Sequence, residues 1–235
     1  MTHKQRWAWV VGFAAAMAWV EAAVVVYLRT LIDRIEPYQF DPLPSSAGFA
    51  QIEMVREAAT LLMLLAAGWL AGGTRRSRWA YALLAFGMWD VLYYACLRIM
   101  IGWPASLASW DILFLLPLPW WGPVLAPVAI ACLMILGGTL VAWFDSPERP
   151  LSPSRLAWTL GLAGAALALY VFMADAIRAV PGGVPAVRAV LPASFNWRLF
   201  LPALALMATP VADVAWQLRQ RGRIPSRVSR LKANP

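Results

Sequence analysis

The chain has 235 residues, 61% of them hydrophobic and 14% charged, with a mean hydropathy of +0.63. Soluble domains hold about 45–50% apolar and about 25% charged residues, so the composition excludes an ordinary water-soluble fold. The net charge of +8 would suit a nucleic-acid binder, but the basic residues gather in short segments between apolar runs, which argues against nucleic acid as a partner.

Runs of about 20 apolar residues are long enough to cross the hydrocarbon core as helices. Six read as spans, at 7–28, 54–71, 79–101, 123–144, 156–174 and 199–218. They leave no loop long enough for a separate soluble domain, so 1–235 reads as one transmembrane domain.

The first span follows Lys4 and Arg6, and Ala16-Met17-Ala18 resembles a signal-peptide cleavage site. The apolar run continues past it to Leu28, interrupted only by Glu21, so an uncleaved span is expected. Arg29 lies eight residues after Glu21. That is a little over two helical turns, nearly the same face and about 12 Å along the axis. A carboxylate in hydrocarbon costs roughly 2.5–3.5 kcal/mol on insertion scales, so it needs a partner or a purpose. The loop at 30–52, with Pro37, Pro42, Pro44 and Gly48, reads as an extended external connection able to cap the bundle.

Span two opens with Glu53, Arg56, Glu57 and Thr60, whose spacing puts them on one polar stripe. Span three repeats the acid–arginine spacing with Asp90 and Arg98. Tyr93 and Tyr94 share the face of Asp90, and Trp89 beside it is a candidate lining residue. The two acid–arginine pairs are 69 residues apart, and Leu-Met-Leu-Leu-Ala-Ala at 62–67 parallels Leu-Met-Ile-Leu-Gly-Gly at 133–138. This pattern suggests a tandem repeat of helical hairpins over 1–72 and 78–144.

The stretch 106–144 carries one charge, Asp111, and Pro117, Pro119, Pro123 and Pro127. It is too long for one span, and proline removes backbone donors. A short helix at 110–116 is expected before the fourth span. It is either re-entrant or interfacial, with Trp110, Trp120 and Trp121 as headgroup anchors in the second case. Both versions put Asp111 near the outer surface. Span five ends with Asp175 and Arg178, the loop at 179–196 is a second external cap, and Pro202 and Pro210 are expected to bend span six.

Thirteen of the twenty basic residues fall in the N-terminal segment, the 73–78 and 145–155 loops and the C-terminal tail. Positive-inside bias then places both termini in the cytoplasm of a multi-pass inner (cell) membrane protein. The basic tail at 219–235 is expected to lie along anionic headgroups, each charge contributing about 1 kcal/mol near the surface.

Cys96 and Cys132 lie within spans with no CxxC spacing, and His3 is the single histidine. Disulfide, haem and zinc chemistry have no support, no Glu-x-x-His pair accompanies the carboxylates, and no phosphate-binding or nucleophile motif occurs. No metal and no cofactor is expected.

The expected fold class is therefore all-α: a six-helix transmembrane bundle with a short re-entrant or interfacial helix before the fourth span. The acids Glu21, Glu53, Glu57, Asp90, Asp111 and Asp175 lie from mid-membrane to the outer face. The candidate ligand- or proton-binding set is Glu21, Glu57, Asp90, Arg29, Arg56, Arg98, Tyr93, Tyr94 and Asp111, and no catalytic residue is assigned. Three readings stay open. One is binding or proton-coupled transport of a small or amphipathic solute, which in a six-span chain calls for a homodimer. Another is a non-catalytic subunit of a larger membrane complex. The last is a membrane enzyme acting on a lipid or lipid-linked substrate at the outer leaflet.

Overall fold

The computed structural model describes residues 1–39, 47–115 and 117–223. Six of its helices are long and apolar enough to cross a membrane, so the chain is a polytopic membrane protein built as the expected six-helix bundle. The basic tail positions Arg227, Arg230 and Lys232, and Pro42 and Pro44 of the first loop, lie outside the described residues.

Helix α1 (His3–Leu31) starts in a capping box: the Gln5 N–H donates to Thr2 Oγ1 at 3.2 Å, and the Thr2 N–H donates to Gln5 Oε1 at 2.9 Å. Helix α2 (Ala47–Ala71) turns into α3 (Arg75–Ile101) through a second such box, between Thr74 and Ser77. Helix α3 stops at Gly102, whose φ of 72° lies in the left-handed region that favours glycine. The Arg98 guanidinium folds back onto the carbonyls of Gly102 and Pro104 at this end. Helix α4 is Leu125–Phe144, and α5 is Arg155–Ala179 with Ser154 as its N-cap. A single 3-10 turn, Val180–Gly182, and the short α6 (Gly183–Arg188) follow, and then α7, Trp197–Arg223.

Helix α3 is the hub, packing against α1, α2 and α4, while α5 pairs with α7, and α7 packs on α4. Small residues permit the closest approaches. A Cβ on Gly138 would stand 2.6 Å from the Ala80 carbonyl oxygen, and one on Gly164 would stand 2.6 Å from that of Ala203. By contrast, α1 and α2 touch α3 far more than each other. That separation leaves room for a cavity.

The N-terminus, the α2–α3 turn and the α4–α5 loop gather at one end, as the charge pattern predicts. His3 Nδ1 is 3.0 Å from the Ala142 carbonyl oxygen, and Arg76 Nε donates to Asp145 Oδ1 at 2.7 Å. Arg221 reaches the carbonyls of Arg149 and Pro150 from α7. We call this the basic end.

The segment expected as a short helix at 110–116 is instead a β-hairpin. Strand β1 (Trp110–Ile112) pairs antiparallel with β2 (Trp121–Pro123), with Asp111 opposite Gly122. The physical reason is hydrogen-bond closure. A helix ending before Pro117 and Pro119 would face residues that cannot donate to its last carbonyls. The hairpin closes on itself and on the chain beside it instead. Leu113 N–H donates to the Trp120 carbonyl, Trp120 N–H to Phe114, and Val124 N–H to Ser109, at 2.8, 2.8 and 3.0 Å. Aromatic contacts wedge it in place: Trp110 stacks on Tyr38, and Trp120 lies parallel to Phe172.

Candidate functional site

At the end away from the basic loops, α1, α2, α3, the hairpin and α6 enclose a cavity of about 720 Å³. Small-molecule sites commonly measure about 300–1,000 Å³. On its side toward the basic end lies a packed cluster that includes Met17, Leu64, Leu84 and Trp89. Residues from Ile32 to Pro37, the tip of the hairpin at Pro117–Pro119, and Val180, Val184, Val187 and Arg188 form its other boundary.

Five of the six acids expected near the outer face line this cavity: Glu21, Glu53, Glu57, Asp90 and Asp111. Asp175 does not; it pairs with Arg178 on the surface, at 2.6 Å. The polar stripe of α2 faces inward as its spacing predicts, since Glu53, Arg56, Glu57 and Thr60 all reach the wall.

The ion pairs that form differ from those the spacing suggests. Eight residues along a helix is too far for direct contact, so partners come from other elements. Glu21 pairs with Arg56 of α2 and accepts from Thr60 Oγ1 at 3.3 Å. Arg56 also holds Glu53, at 2.7 and 2.9 Å. Arg29 reaches the hairpin, where Nη2 donates to Asp111 Oδ1 at 3.0 Å, and its guanidinium lies 4.2 Å over the Trp103 ring. Glu57 fastens the hairpin tip to α2 by accepting the Leu115 N–H on both carboxylate oxygens, each at 3.1 Å. Arg98 does not line the cavity, being turned to the end of its own helix.

Asp111 is almost wholly buried. Burial pushes its carboxyl up to about 6, against the opposing effects of Arg29, the Ile112 N–H and the Tyr94 hydroxyl. It is nonetheless fully engaged, and so serves as a joint between α1, α3 and the hairpin.

Asp90 is different. It is 9% exposed, it lines the cavity, and its Oδ2 has no hydrogen-bond partner among the described residues. No ion pair reaches it among those residues. The indole Nε1 of the adjacent Trp89 is likewise unpartnered. Tyr93 stacks against Trp89 with ring centres 6.1 Å apart, Tyr94 lies edge-on to Tyr93 at 5.2 Å, and Phe114 approaches Trp89 from the hairpin at 6.4 Å.

Sequence reasoning did not name Phe114, Arg34 or Arg188 as lining residues. Phe114 belongs to a Trp-Asp-Ile-Leu-Phe stretch resembling the Trp-Asp-Val-Leu-Tyr-Tyr of α3, and the two meet at this cavity. That shared pattern was a usable signal. Arg34 and Arg188 carry no pattern, and only the chain path brings them here. Among the described residues no group of three or more histidine, cysteine or acidic side chains is arranged to hold a metal ion. Comparison of the chain with protein-family models, with curated proteins and with solved structures finds no match.

Proposed function

We propose that this protein binds a small amphipathic solute in the cavity, entering from the outer leaflet, with Asp90 as the group that exchanges a proton during binding or transport. The observation that carries this reading is the unpartnered Asp90 oxygen on the wall of an open cavity. A buried carboxylate without a partner is costly, and it is met by a proton or by a counter-cation. The other acids are held by arginines or backbone donors, so they build the wall while Asp90 is free to act. The apolar side chains of Val25, Leu28, Leu118 and Val184 around the polar groups suit a solute with an apolar body. Positive-inside bias supports a cavity on the outer side of an inner membrane, with both termini cytoplasmic. The packed cluster on the side of the cavity toward the basic end favours binding over transport by a single copy, so transport would call for a homodimer.

The test uses the full chain in lipid nanodiscs with N-phenyl-1-naphthylamine, an environment-sensitive amphiphile. Saturable fluorescence enhancement is expected, together with its loss in Val25→Trp, which fills the cavity. Proton exchange in weakly buffered solution is expected in the parent and absent in Asp90→Asn. Enhancement unchanged in Val25→Trp would overturn the assignment of the site.

The reading as a subunit of a larger complex has its own support, because the Glu21–Arg56–Glu53 and Arg29–Asp111 pairs tie elements together. It predicts co-purification of a stoichiometric partner and no saturable solute binding.

A further inference from the structure

We infer that Asp90 and the rings around it form a subsite for the protonated amine of an amphiphile, an inference that rests on the solute-binding reading above and names its ligand class. Charge sign is the first constraint. Another acid, Asp111, lines the same cavity, and no guanidinium pairs with Asp90 among the described residues. Arg29 and Arg56 are already engaged with Asp111, Glu21 and Glu53. The unmet electrostatic demand at this wall is therefore for a cation.

Surroundings then narrow the class. Trp89, Tyr93 and Phe114 bring their rings together on the wall of the cavity that Asp90 also lines. Aromatic faces attract a desolvated cation, and an ammonium N–H can also donate to the free Asp90 oxygen. The unpartnered Trp89 indole N–H offers one donor, which suits a hydroxyl, ether or ester oxygen close to the amine. The remaining wall is apolar and takes a hydrocarbon tail. Arg188 on α6 has no ion pair among the described residues, so an anionic amphiphile is the competing class and forms an arm of the test.

Equilibrium dialysis of the full chain in phosphatidylcholine nanodiscs, against protein-free discs, would compare radiolabelled dodecylamine, dodecanol and dodecyl sulfate at pH 7. Dodecylamine is expected to bind saturably, and Asp90→Asn to weaken it by about tenfold or more, the scale of losing one buried charge pairing. Dodecanol should change less than about threefold in that variant, since a neutral headgroup forms no charge pairing with Asp90. Asp90→Glu should recover much of the amine affinity. Trp89→Leu removes ring and donor without altering charge, and should weaken the amine more than the alcohol. The inference falls if amine binding ignores both Asp90→Asn and Trp89→Leu, or if dodecyl sulfate binds more tightly than the amine. If dodecanol and N-phenyl-1-naphthylamine bind while the amine shows no dependence on Asp90, only the amine class is lost. If no probe binds saturably, the solute-binding reading fails with it.

Discussion

Asp145 and Asp90 are both buried aspartates, 6% and 9% exposed, the first at the basic end of the bundle and the second near the middle of α3. Asp145 accepts from Arg76 Nε at 2.7 Å and from Thr74 Oγ1 and the Leu151 N–H at 2.9 Å each, locking the α2–α3 turn to the α4–α5 loop. Asp90 leaves Oδ2 with no partner among the described residues and faces a cavity. Burial alone therefore does not separate a structural carboxylate from a functional one. Satisfaction does: one aspartate is surrounded by three donors and the other keeps an open oxygen, which is the difference the solute-binding proposal rests on.

Substitutions at these two aspartates and at the pairs around them test the contrast. The largest effect is expected from Arg56→Met, which strands Glu21 and Glu53 together. It should cost about 3–5 kcal/mol, read as a shift in the denaturant midpoint of the protein in mild detergent. Asp145→Ala should follow at roughly 2–4 kcal/mol, discounted because Arg76 is partly solvated. A neutral result there would show that the latch at the basic end is ornamental and would weaken the contrast. Gly138→Val, driven against the Ala80 carbonyl, should cost about 1–3 kcal/mol by forcing α3 and α4 apart. Arg98→Ala removes only the guanidinium contacts at the end of α3 and should cost about 0.5–1 kcal/mol without altering probe binding. Asp90→Asn should leave stability within about 0.5 kcal/mol of the parent, or raise it, while removing proton exchange on probe binding. A large loss of stability in Asp90→Asn would mean that Asp90 is structural after all.

The hairpin gives the same lesson in backbone form. Its composition, uncharged except for Asp111 and interrupted by prolines, announced an irregular element at membrane depth. Whether that element would be helical depended on where its backbone groups found partners, and those partners lie across the turn and at the carbonyls of Leu107 and Ser109, which accept from Leu125 and Val124, rather than in the local sequence. The Asp111 carboxylate is drawn inward because Arg29 of α1 and Tyr94 of α3 meet it there.

The six spans, the clustering of basic residues at one end, the inward polar stripe of α2 and the gathering of acids away from that end were legible in the sequence, although of the six acids named Asp175 stays outside the cavity. These follow from short-range rules: apolar length sets what can cross a bilayer, and helical period sets which residues share a face. Tertiary structure alone decided which acid meets which arginine. Glu21 takes Arg56 rather than Arg29, Arg29 takes Asp111, and Arg98 turns to its own helix end, because partners eight residues apart on one helix are out of reach while neighbouring elements are not. Among the described acids that line the cavity, Asp90 is the one left without a partner once that pairing is complete. Its depth and spacing marked it in the sequence only as one candidate among nine, because being the remainder depends on every other pair around the cavity.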